Sequence, residues 1–167
     1  MIKAYPYTPS LVFEPTLGGP WLCYVVCPNA KRDDMRMHGR AAFRQVLRCD
    51  VSETKYGPTA LNVQLSVSYA ENLCLLGVSS SGSNFGIDLV HLAVFDDWST
   101  DELSDVAAVY LTQKPANFID FAHQWALFEA GNKALKRGIQ EHCTVQPYQT
   151  WGITGLPAGF IGAAAVV

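Results

Sequence analysis

Between Leu61 and Tyr69, the residues Leu61, Val63, Leu65 and Val67 alternate with polar neighbours, the period of a strand that buries one face. Leu73 to Val78 and Phe85 to Leu92 are apolar at almost every position, as in strands covered on both sides. The turn-forming run Ser79-Ser80-Ser81-Gly82-Ser83-Asn84 between them predicts that these two strands form a hairpin. Trp21 to Cys27, entered from Gly18-Gly19-Pro20 and ended by Pro28-Asn29, reads as a further strand.

Elsewhere the period lengthens to that of a helix. From Asp33 to Arg48, Met37, Ala41, Val46 and Leu47 form an apolar stripe, and Arg36, Arg40, Arg44 and Arg48 recur every four residues along another flank. Ser99 and Glu102 have capping-box spacing before Leu103, Val106, Ala107 and Tyr110, a helix that should stop by Lys114-Pro115. Asn117 can cap the next helix, which should run through Trp125, Glu129 and Lys133 to Lys136 and Arg137, with Gly138 ending it. From Val145 to Val167 the glycines and prolines among apolar residues favour two short strands, the last of them interior because its side chains are small.

Two carboxylates break the apolar pattern. Asp88 interrupts Phe85-Gly86-Ile87-Asp88-Leu89-Val90, and Glu129 continues the stripe Phe118, Phe121, Ala122 and Trp125 where a core residue is expected. An ionised carboxylate buried without a partner costs several kcal/mol or more, so both need hydrogen bonds, a cation from elsewhere in the fold or a bound metal. A hard divalent ion is the natural candidate. Lys133, one turn beyond Glu129, brings an ammonium to the same patch. A metal flanked by a lysine is suited to phosphate.

Composition narrows the alternatives. In 167 residues, 49% of them hydrophobic, no linker or low-complexity stretch divides the chain, and a single unit is expected. A net charge of −3 argues against general nucleic-acid binding. Half of the twelve basic residues nevertheless fall between Lys31 and Arg48, a solvated face or a surface for anionic partners. The N-terminus lacks a leader-like apolar core and no segment is long enough to span a membrane, so a cytoplasmic location without membrane contact is expected. Five cysteines without Cys-x-x-Cys spacing read as reduced, mostly buried thiols, and the four histidines lack metal-ligand spacing; His91 and His123 read as packing residues. The serine run lacks the Gly-x-Ser-x-Gly pattern of a nucleophile elbow.

With these residues in view, the chain resembles the 4′-phosphopantetheinyl transferases. The resemblance rests on Gly86-Ile87-Asp88-Leu89-Val90 followed by Trp125-x-x-x-Glu129-Ala130-x-x-Lys133-Ala134-Leu135 across an acidic-capped helix. The second motif, with Gly138-Ile139 after it, looks most like the holo-acyl-carrier-protein synthase version. Tyr56-Gly57-Pro58 before Val67-Ser68-Tyr69-Ala70, the basic helix and the terminal Gly159-Phe160-Ile161-Gly162-Ala163-Ala164 segment add to it, over most of residues 30 to 167. The chain departs from the larger, surfactin-type branch in three places: Val90 stands where that branch usually has Glu, the segment Val67-Ser68-Tyr69 lacks its usual His, and Phe128 stands where it usually has Lys.

The resemblance implies two α+β halves related by pseudo-twofold symmetry, about 1–78 and 79–167 here, the first abbreviated, in a monomer with coenzyme A in the cleft between them. It implies Mg2+ on Asp88 and Glu129, with Asp88, Glu129 and Lys133 catalytic and with Lys133, Arg36, Arg40, Ser68 and Tyr69 contacting coenzyme A. The reaction implied is transfer of phosphopantetheine to a serine of an acyl or peptidyl carrier protein, releasing 3′,5′-ADP. Two other classes compete: a non-catalytic relative that binds coenzyme A or a carrier, and a metal-dependent phosphohydrolase acting on a small nucleotide.

Overall fold

The computed structural model describes residues 1–14, 19–55, 57–80, 82–137 and 149–167. Tyr56, Gly138, Ile139, His142, Cys143 and the expected strand start at Val145 lie outside those residues. The described elements are β1 (Ile2–Pro6), β2 (Trp21–Val26), α1 (Arg32–Leu47), β3 (Ser52–Thr54), β4 (Gly57–Thr59), β5 (Gln64–Ala70), β6 (Leu73–Ser79), β7 (Phe85–His91), a 3-10 turn (Leu92–Phe95), α2 (Thr100–Tyr110), α3 (Phe118–Ala134), β8 (Gln149–Thr154) and β9 (Phe160–Val166). The protein is α+β, the coarse class that the resemblance implies. Among the described residues, no helix is long and apolar enough to cross a membrane.

Seven strands form one mixed sheet in the order β5-β6-β2-β1-β8-β9-β7. The seam is β1, which runs parallel to β2 on one side and to β8 on the other, while the remaining neighbours are antiparallel. Strands from the first part of the chain therefore lie on one side of β1, and strands from the second part on the other. The sheet folds over so that its two wings share a core: Leu22, Leu73 and Leu75 pack with Phe85, Ile87, Leu89, Ala164 and Val166. A second core joins β2 and β6 to α1 through Cys23, Cys74 and Leu76 with Phe43 and Val46, and a third joins β7 and β9 to α2 and α3. Alternate residues of β6 thus serve two different cores, which is why its sequence is apolar throughout. The same holds for β7, and β9 is interior as expected, with β7 and β8 as neighbours.

Four expectations are corrected. First, β6 and β7 do not form a hairpin: the two edges of β6 are taken by β5 and β2, and β7 pairs with β9. The two strands instead lie in different layers and meet face to face; a Cβ on Gly77 would strike the Phe85 ring at 2.7 Å. Second, the face of β5 buried most deeply is not the Leu61–Val67 one. Leu61 is 85% exposed, Leu65 and Val67 are half-buried, and Ser66 and Ser68 are the buried positions, because their hydroxyls meet β7.

Third, α1 buries Met35, Gly39, Ala42, Phe43 and Val46, leaving Met37 and Ala41 exposed. Gly39 selects this face: a Cβ there would lie 2.9 Å from Cys74 Sγ, so only this side of the helix can approach β6 closely. Fourth, α3 ends at Ala134, short of Lys136 and Arg137. Lys136 adopts the left-handed conformation (φ 55°) that the expected glycine was to supply, and the Arg137 N–H returns to the Asn132 carbonyl at 3.1 Å. The caps fare better, with Ser99 and Glu102 forming the capping box of α2 and Asn117 accepting from the Asp120 N–H at 2.9 Å. Cys23, Cys27 and Cys74 are buried free thiols as expected, whereas Cys49 is exposed.

Gly86 marks the tightest approach in the fold. A Cβ at this position would collide with the Ala130 carbonyl oxygen and lie 2.5 Å from the Ala134 nitrogen, both of them α3 backbone that cannot rotate away. Gly86→Ala is therefore expected to destabilise the protein by about 3 kcal/mol or more. The shift of the urea midpoint measures this; an unchanged midpoint would mean that α3 can move away from β7 freely.

Candidate functional site

Phe85, Ile87 and Leu89 face the shared core, so Gly86, Asp88 and Val90 turn the other way, toward α3. Because Gly86 lets the helix come so close, residues one turn apart on α3, Glu129 and Lys133, reach Asp88. Asp88 is 3% exposed. Its Oδ1 accepts from Lys133 Nζ at 2.6 Å and from Ser68 Oγ at 2.8 Å. The Ser68 oxygen in turn accepts from Lys133 Nζ at 2.9 Å and from the Leu89 N–H at 3.2 Å, so this one hydroxyl uses its proton and both lone pairs. Two residues earlier, Ser66 Oγ accepts from the Ile87 N–H at 3.0 Å. Side-chain hydroxyls of β5 thereby replace a backbone ladder along the free edge of β7.

Glu129 is half-buried and faces a cavity of about 530 Å³ whose lining includes Asp88, Ser68, Tyr69, His91, Trp98 and Trp125. Its carboxyl is pushed up to about 7, first by burial and then by the charge of Asp88, with which it shares a hydrogen bond; Lys133 and a hydrogen bond with Trp125 act in the opposite direction. The stripe leading to Glu129 ends on this cavity rather than in the core. Phe121 and Trp125 stack along it with centroids 6.0 Å apart, while Phe118 at its start is 44% exposed.

A second cavity, of about 800 Å³, shares Lys133 and Val67 with the first. Lys55, Lys136 and Arg137 join Lys133 in its lining, which among the described residues contains no carboxylate. The backbone reversal at Lys136 is what turns this basic pair back toward β5.

The structure thus brings together Asp88, Glu129, Lys133, Ser68 and Tyr69, but Arg36 and Arg40 line neither cavity. Arg36 pairs with Asp33 at 3.1 Å, and Arg40 lies 3.8 Å from Glu53 and donates to the Arg36 carbonyl. Arg32, from the start of the same helix, lines the first cavity instead. Burial raises the Tyr69 hydroxyl above its ordinary range, with Cys74 and Glu53 adding to the effect and Arg36 and Arg40 opposing it, so it stays neutral. Phe128 packs between the Tyr110 and Trp125 rings, at 5.9 and 5.7 Å, and Val90 is buried. His91 packs on Phe160, as a packing histidine should, yet also lines the first cavity, and His123 is exposed. Thiol chemistry finds no support in the core, where burial pushes Cys23 up to about 12. Sequence reasoning missed Lys55, Lys136 and Arg137 as a cluster; the basic end of α3 was visible, but its meeting with the β3–β4 segment depends on tertiary contact.

No known protein family matches the chain by its family profile, and no curated protein matches it.

The raised Glu129 carboxyl sets a pH dependence. The folded protein holds this proton more tightly than the unfolded chain, so the stability it contributes is complete at acidic pH and is lost as pH rises from the ordinary carboxylate range through about 7. Glu129→Gln is expected to flatten that decline, with a gain of about 2–3 kcal/mol at pH 8 relative to the parent and little change at pH 4. Urea unfolding at the two pH values checks this. Parallel pH profiles for parent and variant would place the buried proton elsewhere.

Proposed function

We propose that the chain transfers the 4′-phosphopantetheine arm of coenzyme A to a serine of an acyl or peptidyl carrier protein, with Mg2+ as cofactor and 3′,5′-ADP as the other product. The observation that carries this reading is the convergence of Asp88, Glu129 and Lys133 on one cavity, in the order and spacing of the motifs that resemble the 4′-phosphopantetheinyl transferases. The two wings of the sheet, meeting at β1, are in keeping with the two α+β halves that this family uses.

The donor set fits Mg2+. Two carboxylates share a hydrogen bond in a partly dry site, and burial followed by the charge of Asp88 favours the proton on Glu129, two costs that a divalent cation would offset. Among the described residues, no group of three or more His, Cys, Asp or Glu converges as a metal cage. Magnesium commonly uses one or two carboxylates, completing its shell with water and substrate phosphate oxygens. When bound, it supplies charge neutralisation and polarisation of the pyrophosphate.

The chain's own residues account for the remaining steps. Asp88, fixed by Ser68, holds one side of the cation site. Glu129 takes the proton of the carrier serine as its oxygen attacks the β-phosphorus, a role suited to a carboxyl poised near neutral pH. The bond from that phosphorus to the bridging oxygen breaks, and 3′,5′-ADP departs with the electron pair. Lys133 stabilises the charge growing on the leaving phosphate. Trp98, Trp125 and Val94 supply an apolar wall for the pantetheine arm, and the adjoining basic cavity suits the nucleotide phosphates.

A non-catalytic role as a binder of coenzyme A or a carrier has one specific observation in its favour: Lys133 already neutralises Asp88 at 2.6 Å. Incubation with coenzyme A, Mg2+ and a panel of apo-carriers separates the readings. Transfer predicts that one carrier gains the mass of a phosphopantetheine arm, and that Asp88→Ala and Glu129→Gln each slow this by about 10²-fold or more while remaining folded. No mass gain on any carrier leaves the binding role, and 3′,5′-ADP released without a carrier indicates hydrolysis.

A further inference from the structure

Lys133 stands between two cavities of opposite character. On one side its ammonium contacts Asp88 and Ser68; on the other lies the cavity lined by Lys55, Lys136 and Arg137. The side chain is 34% exposed, against 4% for that of Asp88, so the ammonium end of the pair is the one with room to move. In the second cavity, Arg137 donates through Nε to Asn132 Oδ1 at 2.9 Å, whereas its buried Nη2 has no hydrogen-bond partner among the described residues. A buried guanidinium nitrogen left unpaired is costly, and an oxyanion would satisfy it.

We propose that Lys133 is an exchangeable counter-ion that couples cation binding at Asp88 and Glu129 to oxyanion binding in the basic cavity. With no divalent cation present, the ammonium holds Asp88. A divalent cation on the same carboxylate repels that ammonium at contact distance, so Lys133 turns into the neighbouring cavity. There it joins Lys136 and Arg137, whose like charges make the arrangement unfavourable until a phosphate or sulfate group enters among them. Each ligand therefore raises affinity for the other by the same factor. The inference rests on the divalent-cation reading of Asp88 and Glu129, but it requires neither coenzyme A nor a carrier.

Calorimetric titration of the whole chain with Mg2+ tests it, at one fixed pH, with and without sulfate, an oxyanion probe that complexes Mg2+ only weakly. Sulfate is expected to raise the Mg2+ affinity of the parent by about fivefold or more. Lys133→Met should bind Mg2+ about tenfold more tightly than the parent without sulfate, because the competing ammonium is gone, and should show no sulfate gain. A double variant, Lys136→Ala with Arg137→Ala, keeps Lys133 on Asp88. It should match the parent without sulfate and lose the gain, and it carries the test if Lys133→Met fails to fold. The exchange is overturned if the parent binds no Mg2+, if sulfate leaves the parent's affinity unchanged, or if folded Lys133→Met binds no more tightly. Couplings that hold while no carrier is ever modified would instead overturn the transferase reading and leave the exchange standing.

Discussion

A carboxylate held in the middle of a fully covered strand is the constraint to which the surrounding structure answers. Removing one partner from a buried ion pair costs about 3–5 kcal/mol, and the partial exposure of Lys133 places this pair toward the lower end. Asp88 is tolerable only because three elements converge on it: β7 carries it, β5 delivers Ser68 and α3 delivers Lys133. None of the three could shift by one residue. A slip of β5 would exchange Ser68 for Val67 or Tyr69, and a side chain larger than hydrogen at Gly86 would push α3 out of reach.

The charges around this point are deliberately uneven. One ammonium faces two carboxylates, and burial together with this deficit lets Glu129 keep a proton far above the usual carboxylate range. Across Lys133 the imbalance reverses, with basic side chains and, among the described residues, no acid. A site of this kind favours a ligand system with a positive and a negative pole a few ångströms apart, as a metal-bound phosphate has.

Much of this was legible in the chain, and the failures have distinct causes. The two exceptional carboxylates and the lysine one turn beyond were readable because charge inside an apolar run is rare and must be compensated. The caps of α2 and α3 were readable because Ser99, Glu102 and Asn117 act over three residues. The strand β1 was not, since only Ala4 in it is buried and a seam strand needs little hydrophobic signal when its neighbours provide the core. The hairpin between β6 and β7 was inferred from a good turn, yet edge pairing is decided by competition among all the strands, including β9 far along the chain. The inverted face of β5 follows from the same source. Ser66 and Ser68 look like solvent-facing residues until a distant strand presents N–H groups for them to accept.

The serine stitching also bears on how the protein avoids self-association. An outer strand with a row of unpaired N–H groups can template the addition of a strand from another molecule. On β7, the amides of Ile87 and Leu89 are already engaged by Ser66 and Ser68, and the stitched strand is covered on both faces. Hydroxyl groups from the opposite wing thus deny a passing chain its hydrogen bonds. The contacts that build the carboxylate site also close the sheet's most apolar margin to aggregation.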